Sequence, residues 1–465
     1  MLVMFLKLGV LWAYAILVFA TSVHCKDNLH VVYEWKEMDF KYDNAEARWN
    51  AIENHDFRPD NVIPFGLEVY RSRMYIALPR WRDGVPASLA YFDLNDKTTK
   101  SPLLTPFPNW EAHSLSEADP ELVSPFRIRA DRCGRLWVLD SRIAGVLENT
   151  TIFGPAQLLV YDVHNDNLLR RYRFPSNHMK QGSFFANLAV EDGDCENTFA
   201  YAADLGAPGL VVYSWDQSDS WRIQHNFFHP DPLAGNYSIG GIEFQWDDGL
   251  YGLALSKPNL DGFSTLFFHP LSSTTEFAVS TKLLRNKTLA TSNDIYHEFK
   301  IVGERGTNGQ AGAAFIDPRT EVMFYALPNM NALNCWSTTN AEYGDNTQGR
   351  IFSSALELVF PSEVKVDAED RLWVLSNKLQ EFIYDELYPG TVNYRVLMAN
   401  VVDAIEDTPC DTKEKPLPEI VKNELDTILD KVINKTQKAA IGGVSARSLS
   451  GLLFIVTVAL NLLEL

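Results

Sequence analysis

The chain has 465 residues, 46% of them hydrophobic and 22% charged, the proportions of an ordinary globular protein. Its formal charge of −19 argues against nucleic acid or another polyanion as partner, since that binding needs Lys and Arg to neutralise phosphates. The acidic balance reads as solubility, and one large all-β domain can absorb the length.

Residues 1–25 read as a secretory signal peptide. Lys7 precedes the apolar run Leu8 to Ala20, and small and polar residues follow. The run is short for a membrane anchor, so cleavage is expected between Ala20 and Lys26. An extracellular, secreted product is the expectation.

From residue 26 to 410 the chain repeats itself. Arg135-Leu136-Trp137-Val138-Leu139 returns as Arg371-Leu372-Trp373-Val374-Leu375, each after a short apolar strand and a polar turn. Weaker copies carry Tyr75, Tyr201, Tyr251 and Tyr325 at the position of the tryptophan. The strands assigned ahead of these anchors include Ile63–Val69, Asn187–Asp192, Gly241–Phe244 and Ala313–Asp317. Third strands follow at Leu89–Asp93, Leu159–Asp162 and Leu210–Ser214, and fourth strands at Leu169–Phe174 and Trp221–Phe227. Six units of about four strands predict an all-β, six-bladed β-propeller, in which radial packing covers faces that a single sheet leaves bare.

Four cysteines remain if Cys25 leaves with the signal: Cys133, Cys195, Cys335 and Cys410. An even count in an oxidising compartment implies two disulfides, with three pairings open. Cys133 and Cys195 occupy the same turn of consecutive blades, which favours Cys133–Cys195 and Cys335–Cys410. N-glycosylation sequons stand at Asn149, Asn236, Asn286 and Asn434.

Residues 411–443 are charged with amphipathic spacing, as in a stalk or helix, and residues 444–465 form a hydrophobic tail. The order of small residues, spacer and terminal apolar run matches a GPI-attachment signal, and hence attachment to a membrane surface. A short membrane tail and a helix packed on the propeller are the alternatives.

Common catalytic and cofactor signatures are absent, so no cofactor is expected and the catalytic residues are unknown. His225 and His229 lie on a strand-like segment that runs into Pro230, a poor zinc face, so no metal is expected. Asp192-Gly193-Asp194 reads as a solvated turn. Propellers usually bind ligands at the mouth of the central channel, which the first residues of the inner strands should reach. Those are Ile63-Pro64, Pro125-Phe126, Phe185 to Asn187, Ser238 to Gly240, Gln310 to Gly312 and Phe360 to Ser362. Their apolar and uncharged polar character suits a small, partly aromatic ligand.

Several long phrases resemble the insect Yellow and major royal jelly protein family. They are Ala77 to Leu89 (ALPRWRDGVPASL), Cys133 to Asp140, Phe228 to Leu233, Phe277 to Thr281 and Asn334-Cys335-Trp336, and the similarity runs from about Val32 to Cys410. The resemblance implies a secreted six-bladed propeller with two disulfides. It also implies roles in pigmentation and melanin chemistry, dopachrome conversion, or binding of biogenic amines. The amine pocket of salivary relatives maps onto Phe360, Ser362, Asn377 and Leu379, where Leu379 replaces an aromatic wall. Phe360 is expected to stack on a ring, and Ser362 and Asn377 to accept from an ammonium or catechol. Candidate bases for a dopachrome isomerase or tautomerase are His113, His178 and Asp140. The third alternative is an extracellular structural protein with a vestigial channel.

Overall fold

The doubled phrase folds the same way twice. Asp131 Oδ1 accepts from the backbone N–H of Cys133 and Arg135, and Asp131 Oδ2 accepts from Arg135 Nε at 2.6 Å and Trp137 Nε1 at 2.7 Å. Asp367 repeats this with the N–H of Glu369 and Arg371, with Arg371 Nε at 2.7 Å and with Trp373 Nε1 at 2.8 Å. One carboxylate thus closes the turn, fixes the arginine and satisfies the indole N–H, which lets a tryptophan be buried without an orphan donor.

The computed structural model describes residues 29–411. Six four-stranded antiparallel sheets form the blades. Their innermost strands are Gly66–Tyr70, Pro125–Ala130, Phe185–Glu191, Leu250–Leu255, Ala314–Asp317 and Pro361–Val366, neighbours in that order round a closed ring. The six-bladed β-propeller is therefore the fold. The sixth blade takes its outermost strand from the other end of the chain: His30–Trp35 pairs antiparallel with Tyr394–Asn400, from His30 opposite Met398 to Trp35 opposite Tyr394. Cys133 bonds to Cys195 and Cys335 to Cys410, the pairing favoured by the blade register.

The fourth blade departs from the sequence reading. Gly241–Phe244 is not its inner strand. Asn236–Ile239 and Ile242–Gln245 form a separate two-stranded hairpin, and Tyr251 lies on the inner strand itself. The turn is Gly240-Gly241, with φ of +60° and +85°, a left-handed pair that glycine adopts without steric cost. The signal peptide, Asn434, the stalk beyond Asp411 and the hydrophobic tail lie outside the described residues.

Candidate functional site

Four inner strands carry a bulge at their second residue: Pro125/Arg127, Phe185/Asn187, Leu250/Gly252 and Pro361/Glu363. A bulge re-aims the side chains near it. Here it helps turn charged groups into the channel.

Arg127 is fully buried and spans the channel. Its guanidinium donates to Phe65 O at 2.7 Å, to Ser362 O at 2.7 Å and to the Tyr251 hydroxyl, and Glu363 lies 3.3 Å away. The rings of Phe65, Phe126 and Tyr251 surround it at 5.0–5.5 Å. Next to it, Lys365 lies 3.7 Å from Glu363, and Arg129 pairs with buried Glu68 at 3.0 Å. Burial lowers the Lys365 pKa, against the pull of Glu363, and burial pushes the Tyr251 phenol up to about 12. The channel is thus plugged by paired charges, and a ligand entering at the aromatic end meets a guanidinium floor.

That end is closed by aromatic side chains. Phe65, Trp81, Phe126 and Phe184 stack in one group, with Phe65 and Phe126 centroids 4.2 Å apart. Tyr237, Phe244, Trp246 and Tyr384 form another, and Phe360 meets Trp246 edge-on at 5.9 Å. The Gly240-Gly241 hairpin supplies Tyr237 and Phe244, and the short helix Leu379–Tyr384 supplies Tyr384. Trp246 Nε1 donates to the Tyr384 hydroxyl at 2.6 Å, joining the two.

The structure gathers Phe360 and Leu379 into one buried cluster, with Asn377 between them in sequence and fully buried. Asn377 Nδ2 donates to Pro64 O at 2.9 Å, while its Oδ1 has no partner. Ser362 turns its hydroxyl to Leu375 O at 3.4 Å. Asn187 lines the channel wall with both ends engaged, donating to Tyr251 O and accepting from the Leu188 N–H. Phe185 instead packs on Phe174 between blades, centroids 4.9 Å apart, and its neighbour Phe184 reaches the mouth; the bulge after Phe185 accounts for the exchange.

Two mouth residues escaped the sequence reading. Gln380 is fully buried, and neither its Oε1 nor its Nε2 has a partner. Its amide lies against the hairpin, where a Cβ on Gly240 would come within 3.1 Å of Nε2. The charge of Asp248 acts on Tyr237 and Tyr251, and burial, then Asp247, pushes its carboxyl up to about 6. The Gly-Gly pair between two alternating apolar segments was the available signal for the hairpin.

The three candidate bases serve the framework. Asp140 accepts from the N–H of Val123, Ser124 and Arg142 and from Gln157. His178 bonds the Ser220 hydroxyl, and burial, then Arg222, lowers its pKa. His113 is buried beside Ser88 and Phe107. His225 stacks on Phe299 at 4.1 Å and contacts Tyr296 O, and Asp192 pairs with Arg132. Asn149, Asn236 and Asn286 are exposed.

Fold and site together define a six-bladed propeller with an aromatic mouth above an ionic plug. The major royal jelly protein family model matches residues 123–410. Protein yellow of Drosophila erecta is 37% identical over 384 residues, 82% of this chain and 70% of the relative. Protein yellow of Drosophila madeirensis is 36% identical over 414 residues, 88% of this chain and 72% of the relative. Among solved structures, a luciferin-regenerating enzyme aligns over 73% of this chain and 91% of its own, at 14% identity and a TM-score of 0.42. That distant likeness carries no functional argument. The chain belongs to the Yellow and major royal jelly protein family.

Proposed function

We propose that this protein binds a small catechol or indole compound, derived from dopa or dopamine or a biogenic amine, at the channel mouth, in the extracellular chemistry of insect pigmentation. The observation that carries this reading is the pair of buried amides at the mouth. Asn377 Oδ1 and both amide atoms of Gln380 lack partners, and Leu379, between them in sequence, packs in one cluster with Phe360. Buried polar atoms without partners are costly. A ligand with a ring for Phe360 and donors for Asn377 Oδ1 and Gln380 Oε1 relieves that cost, and an ammonium or a catechol hydroxyl supplies such donors. Calorimetry with dopamine, serotonin and dopachrome tests it. Binding that weakens by about tenfold or more in Asn377→Ala or Gln380→Ala supports the site. Unchanged binding in Phe360→Ala with Asn377→Ala places it elsewhere.

Asp248 favours a second reading, a dopachrome-converting isomerase or tautomerase. A carboxyl with a pKa of about 6 beside the aromatic cluster is matched to taking up a ring proton near neutral pH. Dopachrome decay that does not rise above buffer, or that Asp248→Asn leaves unchanged, removes this reading. Silence in both assays leaves the extracellular structural role. Surface attachment through a GPI anchor belongs to the same proposal, and release of the protein by phospholipase tests it.

A further inference from the structure

The longest of the family-like phrases, Ala77 to Leu89, has no part in the channel floor. Its residues Arg80 and Arg82 to Pro86 instead wall a cleft of about 560 Å3 on the first blade. The facing wall is Tyr42, the end of the helix Ala45–Glu53 and the loop through Arg58, with Trp110 alongside. Backbone bonds hold the walls in place: Arg58 N to Gly84 O at 2.8 Å and Gly145 N to Arg80 O at 2.8 Å. Gly84, at φ +77°, is required here, because a Cβ would fall 2.6 Å from Arg58 Cγ. The cleft is therefore preformed, and its volume is that of a small-molecule site.

Its chemistry is specific. Tyr42 and Trp110 make an aromatic wall, ring centroids 4.9 Å apart, and the buried Tyr42 hydroxyl has no partner. Three guanidinium groups line the cleft against two carboxylates, Asp56 and Asp83, in a chain whose net charge is −19. Arg80 spends all its donors on carbonyl oxygens, those of Val85, Leu122, Val123, Pro86 and His113, and the carboxylate its charge feels, Asp140, does not line the cleft. Arg82 likewise binds a carbonyl, Phe382 O at 2.6 Å. Arg58 is exposed at the rim. A positive, aromatic-walled cleft on an acidic protein selects a planar anion over an amine.

We propose that this cleft is a second ligand site, for a small aromatic carboxylate, with the ring against Tyr42 and Trp110 and the carboxylate on Arg58. Calorimetry on the full chain with 4-hydroxyphenylacetate and with its uncharged amide tests it. The acid is expected to bind, the amide at least about tenfold more weakly, and Arg58→Ala to weaken the acid by about tenfold with partial recovery in Arg58→Lys. Asn377→Ala, at the channel mouth, leaves the acid's affinity unchanged. Equal affinity for acid and amide, no binding of the acid at millimolar concentration, or sensitivity to Asn377→Ala without sensitivity to Arg58→Ala overturns the proposal. Because the probe and the Arg58 variants differ from those of the mouth, failure there and failure here are separate results.

Discussion

Acidification should destabilise this propeller through His113 in a way that can be calculated. The Ser88 N–H donates to His113 Nδ1 at 3.2 Å, so that nitrogen must carry a lone pair. The ring's other nitrogen, Nε2, then carries the hydrogen and donates to Phe107 O at 3.0 Å. Protonating Nδ1 breaks the first bond and adds a buried charge beside Arg80. Burial, then Arg80, accordingly lowers the pKa from 6.5 to about 3. A depressed folded-state pKa means that the unfolded chain takes up this proton first as pH falls. The histidine's contribution is fully present above pH 6.5 and is lost toward pH 3. At about 1.36 kcal/mol per unit, the full loss is about 5 kcal/mol, and about 3 kcal/mol has gone by pH 4.5. Denaturant unfolding with disulfides intact, at pH 7.5 and pH 4.5, measures it in the native chain and in His113→Gln, which has no titrating ring. The native chain should lose about 3 kcal/mol more than the variant over that interval. Equal losses, or a His113 ring resonance that titrates near 6.5, refute the argument.

Arg127→Met should destabilise by about 3–5 kcal/mol, because Glu363 is left in the channel with Lys365 at 3.7 Å as its nearest cation; Glu363→Gln added to it should restore part of the loss, as read by denaturant unfolding. Asp248 runs opposite to His113: its raised pKa makes the folded state hold the proton longer, so stability present below about pH 4 falls as pH rises to about 6, by about 3 kcal/mol. Asp248→Asn should abolish that slope in the same measurement.

The repeat was legible because one chemical solution recurs. Asp131 and Asp367 each satisfy an arginine and an indole, so the phrase Arg-Leu-Trp-Val-Leu marks the second strand of its blade wherever that solution is used. Tyr251 sits in a similar phrase but on an inner strand, since the Gly240-Gly241 hairpin imitates the preceding strand and shifts the count. At the mouth, taking the first residues of each inner strand selected Phe185 and missed Phe184, because a strand count cannot foresee a bulge. Asn377 came from the family resemblance, whereas Gln380 lies outside that pattern, and only its distant contact with the hairpin shows where its buried amide sits. The charged floor was hidden for the same reason: Arg127, Tyr251 and Glu363 come together only when the ring closes.

The borrowed strand of the sixth blade sets an order of events during synthesis. Trp35 is made early, yet its partner Tyr394 emerges about 360 residues later. At 5–20 residues per second, that interval is roughly 20–70 s. Throughout it, His30–Trp35 has no sheet to join, and once Tyr394–Asn400 has emerged it presents an open edge until the early strand arrives. An unpaired edge is a template for the wrong strand, including one from a second nascent chain. The newest copies of this protein are therefore the ones most exposed to mispairing, and a chain cut short before residue 394 keeps that hazard for as long as it survives.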